Sequence, residues 1–210
     1  MSYSSKSTTL PSITDLNSQS YDAFTSSINL LFEPAPPLAT ILYSCRPFTS
    51  YEHLISTATQ IIFGDIEKRD TDYSTGNTNL QQLTFSQKLE VINAHPRLGE
   101  NKKNLSALSL KEQGYLQNKN DTNDSSSSPA TPLLTNEDEI VNSKLQSLNQ
   151  QYEQKFGFRF VIFVNGRSRK EIIPILEDKL QNGNQEDELN RGLLDMMNIA
   201  SDRLKKLVSS

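Results

Sequence analysis

From Ile13 onward, apolar residues recur at intervals of three and four in one segment after another, the spacing that lines one face of an α-helix. ITDLNSQSYDAFTSSINLLFE opens the series. EPAPPLATILYSC follows, its prolines placed to start a helix rather than interrupt one. SYEHLISTATQIIF, from Ser50 to Phe63, carries His53 near its start, and TFSQKLEVINAHP is a short helical run ending at His95. SALSLKEQGYLQNK holds Ser109 and Glu112 at the Ser-x-x-Glu spacing of a capping box. IVNSKLQSLNQQYEQKFG is closed by Gly157, a residue suited to a helix C-cap. SRKEIIPILEDKLQN repeats the capping-box spacing at Ser168 and Glu171, and its Pro174 fits near a first turn or at a kink. EDELNRGLLDMMNIASDRLKKLV is a long amphipathic helix at the end. One run, FRFVIF from Phe158 to Phe163, is short, apolar and β-prone, and reads as an extended connector. The class that follows is all-α: a helical bundle with a short extended connector and no internal repeat.

Residues 1–12 read as a flexible tail and 13–208 as a single helical domain. GDIEKRDTDYSTGNTN is polar and turn-rich, a loop. Residues 118–137, within a run that includes NDSSSSPATPLLTNEDE, cannot bury enough apolar surface to offset their ordering entropy, and are expected to form a disordered insertion inside the domain. Only 35% of the chain is hydrophobic, which fits part of its length lying outside the core. The net charge of −4 argues against nucleic acid or an anionic membrane as a partner. No apolar run approaches the roughly 18 residues that span a bilayer. MSYSSKSTTLPS lacks an apolar signal core, and RLKKLVSS lacks a Ser-Lys-Leu type of address. The lone Cys45 excludes an intramolecular disulfide framework and a cysteine-rich zinc site. A soluble intracellular protein, cytoplasmic or peroxisomal, is the expectation.

Chemistry concentrates at NAHPRLGE, Asn93 to Glu100. The chain has two histidines, and one of them, His95, precedes a proline. That proline disfavours the α region for His95 and fixes the next backbone angle, so the imidazole sits at a rigid corner. Such a corner suits an acid–base group and equally a well-made turn. No His-x-x-x-His pair accompanies it, and scattered carboxylates make a poor zinc site. A capping box explains Ser109 and Glu112 without catalysis, but leaves Gln113 over; a helix start can also hold an anionic ligand. KFGFRFVIF reads as a buried extended segment. Its backbone N–H and C=O groups, free of helical pairing, need partners, and a heterocyclic amide or urea is one.

Taken in order, HPRLGE, SLKEQ, YEQKFGFRFVI and the GRS that starts the next helix resemble the 2-oxo-4-hydroxy-4-carboxy-5-ureidoimidazoline (OHCU) decarboxylases, which act third in the conversion of urate to allantoin. LFEPAPPLATILYSCRPFTSYEHL and IASDRLKKL are similar as well, so the resemblance covers most of Phe24 to Leu207. It implies a helical bundle paired as a homodimer, with no cofactor and no metal, making (S)-allantoin. Carried over residue by residue, it implies that His95 is catalytic together with Glu112. Pro96, Ser109, Leu110, Lys111, Glu112 and Gln113 would contact the ureidoimidazoline. The extended segment Phe158, Arg159, Phe160, Val161 and Ile162 would present its backbone to the ring and ureido group, and Arg203 belongs to an Arg-Leu pair near the end. The sequence departs from the family in three places. EPAPPLA stands where many members read Glu-x-Ser-Pro-Trp, Arg159 stands where proline is frequent in animal members, and the Ser/Asp-rich insertion lengthens the spacing to the last segment. Two other readings of the residues are a non-catalytic helical interaction domain and a different lyase or hydrolase on the same bundle.

Overall fold

The computed structural model describes residues 9–64, 80–100, 107–113 and 136–208. Every regular element among them is an α-helix: α1 (Ile13–Ser18), α2 (Tyr21–Phe32), α3 (Pro36–Ser44), α4 (Tyr51–Phe63), α5 (Phe85–Asn93), α6 (Ala107–Glu112), α7 (Asn136–Phe156), α8 (Arg169–Asn182) and α9 (Gln185–Val208). The all-α expectation holds, and FRFVIF forms no regular element. Two compact units are present. The first takes in Met1–His95, Val161–Phe163 and Leu189–Ser210, and the second Pro96–Phe160 and Val164–Glu188, so far as these ranges are described. Most of the expected insertion, and the loop expected after α4, lie outside the described residues.

In the first unit the apolar pattern that begins at Ile13 is broken into two helices. Ser12 starts α1 by accepting the Asp15 N–H (3.1 Å). Gln19 and Ser20 then turn extended, with ψ of 151° and 164°. The break strands the carbonyls of Asn17 and Gln19, and Arg46 Nη1 donates to both at 2.8 and 2.9 Å. Of the expected tail, Pro11 is tied down: its carbonyl accepts from Tyr51 Oη at 2.8 Å. Burial pushes the Tyr51 phenol up to about 12. Pro36 opens α3 as its first residue, and Ser50 caps α4 by accepting the His53 N–H. The α3 helix packs against α2, α4 and α5, with Phe24, Leu31, Leu42, Leu54, Ile61 and Ile92 fully buried.

In the second unit α7 packs on α8. The stripe of α7 that reaches the core is Leu145, Leu148, Asn149, Tyr152 and Phe156, all buried. Gly157 ends the helix with φ of 84°, which only glycine adopts without strain, and its N–H bonds the Glu153 carbonyl. The capping box at Ser168 and Glu171 forms as the spacing predicts, opening α8. Pro174 lies past the first turn, inside α8, and the helix continues to Asn182.

The same spacing at Ser109 and Glu112 forms no cap. The backbone is already helical from Ala107, so Ser109 is an interior residue of α6 whose carbonyl accepts the Gln113 N–H at 3.0 Å. No helix among the described residues is long and apolar enough to cross a membrane.

Candidate active site

The second unit holds the loop that follows His95, and holds it through the Arg97 side chain and three backbone groups. Pro96 locks its own φ. The next residue, Arg97, grips Glu153 on α7 through both edges of a bidentate pair, Nε to Oε1 at 2.6 Å and Nη2 to Oε2 at 2.9 Å. The hydrogen bond to Glu153 raises the Arg97 pKa further above its ordinary value, with the Glu153 and Glu100 charges adding to it. The Arg97 N–H donates to Glu100 Oε2 at 3.3 Å. Gln113 clamps the loop from α6: its Nε2 donates to the Arg97 carbonyl (3.1 Å) and its Oε1 accepts the Gly99 N–H (2.9 Å). Asn149 Nδ2 donates to the Leu98 carbonyl at 2.9 Å. Gly99 has φ of 78°, and a Cβ there would come within 3.3 Å of the Leu145 side chain. Leu145, Asn149 and Glu153, four residues apart on α7, thus form one face against which the loop is laid.

That same helix anchors the extended segment. The Tyr152 ring meets Phe158 and Phe160 edge-on at centroid distances of 5.9 and 5.2 Å and Phe156 at 4.5 Å. Its hydroxyl donates to Glu188 Oε2 (3.1 Å), and that carboxylate also takes the buried Lys179 ammonium at 2.9 Å. Phe158 and Phe160 are buried and Arg159 is half-buried. On α6, Ser109 is buried and Leu110, Glu112 and Gln113 are half-buried; Lys111 contributes its backbone to the helix.

The first unit holds the remaining expected residues. The helix α5 ends at Asn93, two residues short of His95, which is 5% exposed and whose N–H bonds the Ile92 carbonyl at 3.3 Å. Val161 is buried and Ile162 half-buried. A Cβ at Gly192 of α9 would sit 2.6 Å from Ile92 Cδ1 and 3.9 Å from the Val161 carbonyl, so the end of α5 and the extended segment both reach one small residue of α9. Arg203 is 1% exposed, its Nη2 on Glu33 Oε1 at 2.8 Å and its Nη1 on the Leu31 carbonyl at 3.4 Å.

Sequence reasoning missed Asn149, Tyr152, Glu153 and Glu33. For Asn149 a signal existed: a polar residue standing at a core position of the α7 stripe. Nothing local marks Glu33, whose partner is 170 residues away. His53 stands apart from these residues in the sequence; its Nδ1 accepts the Thr49 N–H at 3.2 Å and its ring packs edge-on against Phe48. Among the described residues no group of three or more His, Cys, Asp or Glu side chains is arranged to hold a metal ion.

Comparison with known proteins accords with this geometry. The chain is 28% identical over 192 residues to the uric acid degradation bifunctional protein of Bacillus sp. (strain TB-90), matching 91% of this chain and 31% of that protein. It is 26% identical over 189 residues to the 2-oxo-4-hydroxy-4-carboxy-5-ureidoimidazoline decarboxylase of Xenopus laevis, matching 90% of each. The chain therefore spans about a third of the bifunctional relative and nearly all of the shorter one. A solved structure described as OHCU decarboxylase in the presence of (S)-allantoin superposes with a TM-score of 0.56 at 21% identity, covering 87% of this chain and 97% of that one, which shows a shared fold. The model of the OHCU decarboxylase family matches residues 17–205, and the chain belongs to that family.

Proposed function

We propose that the chain decarboxylates 2-oxo-4-hydroxy-4-carboxy-5-ureidoimidazoline to (S)-allantoin in urate degradation, with His95 as its acid–base group. The observation that carries this reading is the family match over residues 17–205, which includes the rigidly mounted His95–Pro96 corner. The bond between ring C4 and its carboxylate breaks, and its electron pair forms a C4–C5 double bond as the adjoining imine nitrogen takes up the displaced pair and a proton. The C4 hydroxyl proton then leaves as C4 becomes a carbonyl, and a proton adds to C5. Because the substrate's own conjugated ring accepts the electrons, the protein is left to position the ring, handle protons and choose the face that is protonated.

In this reading His95 handles the proton, and Glu112 accepts the hydroxyl proton or sets the imidazole tautomer. Pro96, Ser109, Leu110, Lys111 and the backbone of Phe158, Arg159, Phe160, Val161 and Ile162 hold the substrate. Gln113 spends both ends of its amide on the loop after Pro96, so its part is in shaping the site as much as in contacting the ring. Arg203, tied to Glu33 and the Leu31 carbonyl, fixes the end of α2 against α9 in addition to any contact it makes with substrate. Pairing as a homodimer belongs to the same reading, and sedimentation at micromolar concentration tests it. The direct test of the reaction follows the optical decay of freshly generated urate-oxidation intermediate and the optical rotation of the allantoin formed. The enzyme gives fast decay and one enantiomer; racemic allantoin at the spontaneous rate would overturn the assignment.

A further inference from the structure

We infer that Asn149 is a positioning residue for this reaction: its buried amide fixes the Leu98 carbonyl and thereby the backbone that carries His95. The inference rests on the function proposed above. Asn149 is 2% exposed and sits where the α7 stripe otherwise presents leucine and aromatic side chains. Its Nδ2 donates to the Leu98 carbonyl at 2.9 Å. The orientation of the amide is forced, because a carbonyl oxygen takes only a donor. Its Oδ1 is then left buried with no hydrogen-bond partner among the described residues. A buried acceptor without a donor is destabilising. A leucine at this position would avoid that penalty and continue the stripe, so the asparagine is explained by the one thing leucine lacks, the N–H that reaches Leu98.

The geometry turns that single bond into control of His95. Arg97 is held on its carbonyl by Gln113 and on its side chain by Glu153, and Gly99 is held on its N–H by Gln113. Without Asn149, the Leu98 carbonyl between these points has no other donor among the described residues, and the loop is free to rotate there. Only Arg97 and Pro96 separate Leu98 from His95, and Pro96 has one soft backbone angle, so part of a rotation at Leu98 reaches the His95 backbone. Catalytic groups are sensitive to such shifts: a displacement of about 1 Å costs up to about a hundredfold in rate.

Two variants test this in the full chain. Asn149→Asp keeps the size and the Oδ1 acceptor but puts a second acceptor oxygen in place of the Nδ2 donor. Asn149→Leu removes the donor without introducing charge, and serves if the aspartate variant does not fold. Ser168→Ala, at the cap of α8 and outside the site, is the control for a loss of stability alone. The expected result is a kcat lowered by about tenfold to a hundredfold with KM within about twofold of wild type, and wild-type kcat in Ser168→Ala. A second readout does not depend on turnover. With two histidines in the chain, nitrogen-detected imidazole spectra contain two rings, and the His95 ring resonances should move in the Asn149 variants while those of His53 stay in place. Wild-type kcat in a folded Asn149 variant, a loss confined to KM, or an equal loss in Ser168→Ala would each overturn the inference. If the wild-type protein forms no allantoin above the spontaneous rate, the proposed function fails instead. The imidazole spectra then decide the positioning role alone, unmoved His95 resonances overturning it.

Discussion

Replacing His95 with asparagine keeps a polar side chain at a buried position and changes little core volume, so a corner that only turns the chain tolerates it. A corner that handles protons does not: kcat should fall by about two to four orders of magnitude, the usual scale of lost acid–base assistance, while binding of a substrate analogue weakens far less. The His53→Asn variant is the internal comparison, expected to retain wild-type kcat, with any loss appearing only in stability because His53 braces the turn before α4. A folded His95→Asn protein turning over at the wild-type rate would return His95 to a structural role. At Glu33 the expectation concerns stability. Its backbone, with φ of 59° and ψ of 164°, occupies a region that costs a non-glycine residue about 1–3 kcal/mol, and its carboxylate is an ionic partner of a buried guanidinium. Glu33→Gln removes a carboxylate paired with the buried Arg203 charge, so urea unfolding should show a loss of about 3 kcal/mol; a change below about 1 kcal/mol would mean that other groups carry the Arg203 charge. The His95–Pro96 corner stood out in the sequence because a histidine before a proline is an unusual local fact. Asn149 showed only as a polar residue on an apolar stripe and Glu33 not at all, because their partners are a carbonyl and a guanidinium far off in the sequence.

The helices show how far a short signature reaches. Ser-x-x-Glu occurs at Ser109 and again at Ser168, and only the second is a capping box. The difference is upstream. A serine caps a helix only where the chain before it is extended, and Ser168 has ψ of 157° whereas the backbone at Ala107 is already helical. Spacing within four residues does not carry that information. The cap at α8 makes its own prediction. Hydrogen bonds from the Ser168 hydroxyl and N–H hold the Glu171 carboxyl below the usual glutamate range. A lowered native pKa favours folding above the unfolded value and loses that contribution as the pH falls through the native value. Amides in the first turn of α8 should therefore exchange faster as the solution is acidified from about pH 5 to about pH 3. Glu171→Gln, which still serves as a capping-box residue, should flatten that dependence. An acid-induced opening of the turn that persists unchanged in Glu171→Gln would assign the effect to other groups.

At the scale of the whole molecule, the division into two units was not legible, because both are discontinuous in sequence and share the same helical pattern. The chain passes from one to the other at His95 and Pro96, at Phe160 and Val161, after Phe163, and within α9 after Glu188. Two of these crossings fall inside the segments that resemblance singled out, although nothing in the residues themselves marked them as crossings. The clamp on the loop after His95 also has a consequence in time. Its bonds join residues 51 and 56 positions apart, Leu98 to Asn149 and Arg97 to Glu153. Helices form locally within about a microsecond, but closing so long a stretch of chain is delayed by its entropy. During synthesis, at about 5–20 residues per second, the loop waits roughly 3–10 seconds for α7 to be made. The first unit waits longer still, since Leu189–Ser210 is the last of it to appear. Refolding from urea should therefore restore the helical circular-dichroism signal before it restores allantoin formation. Removing residues 119–133 shortens the span to be closed, and should narrow that interval while leaving the early helical phase unchanged. Simultaneous recovery of both signals would mean that the clamp closes with the helices rather than after them.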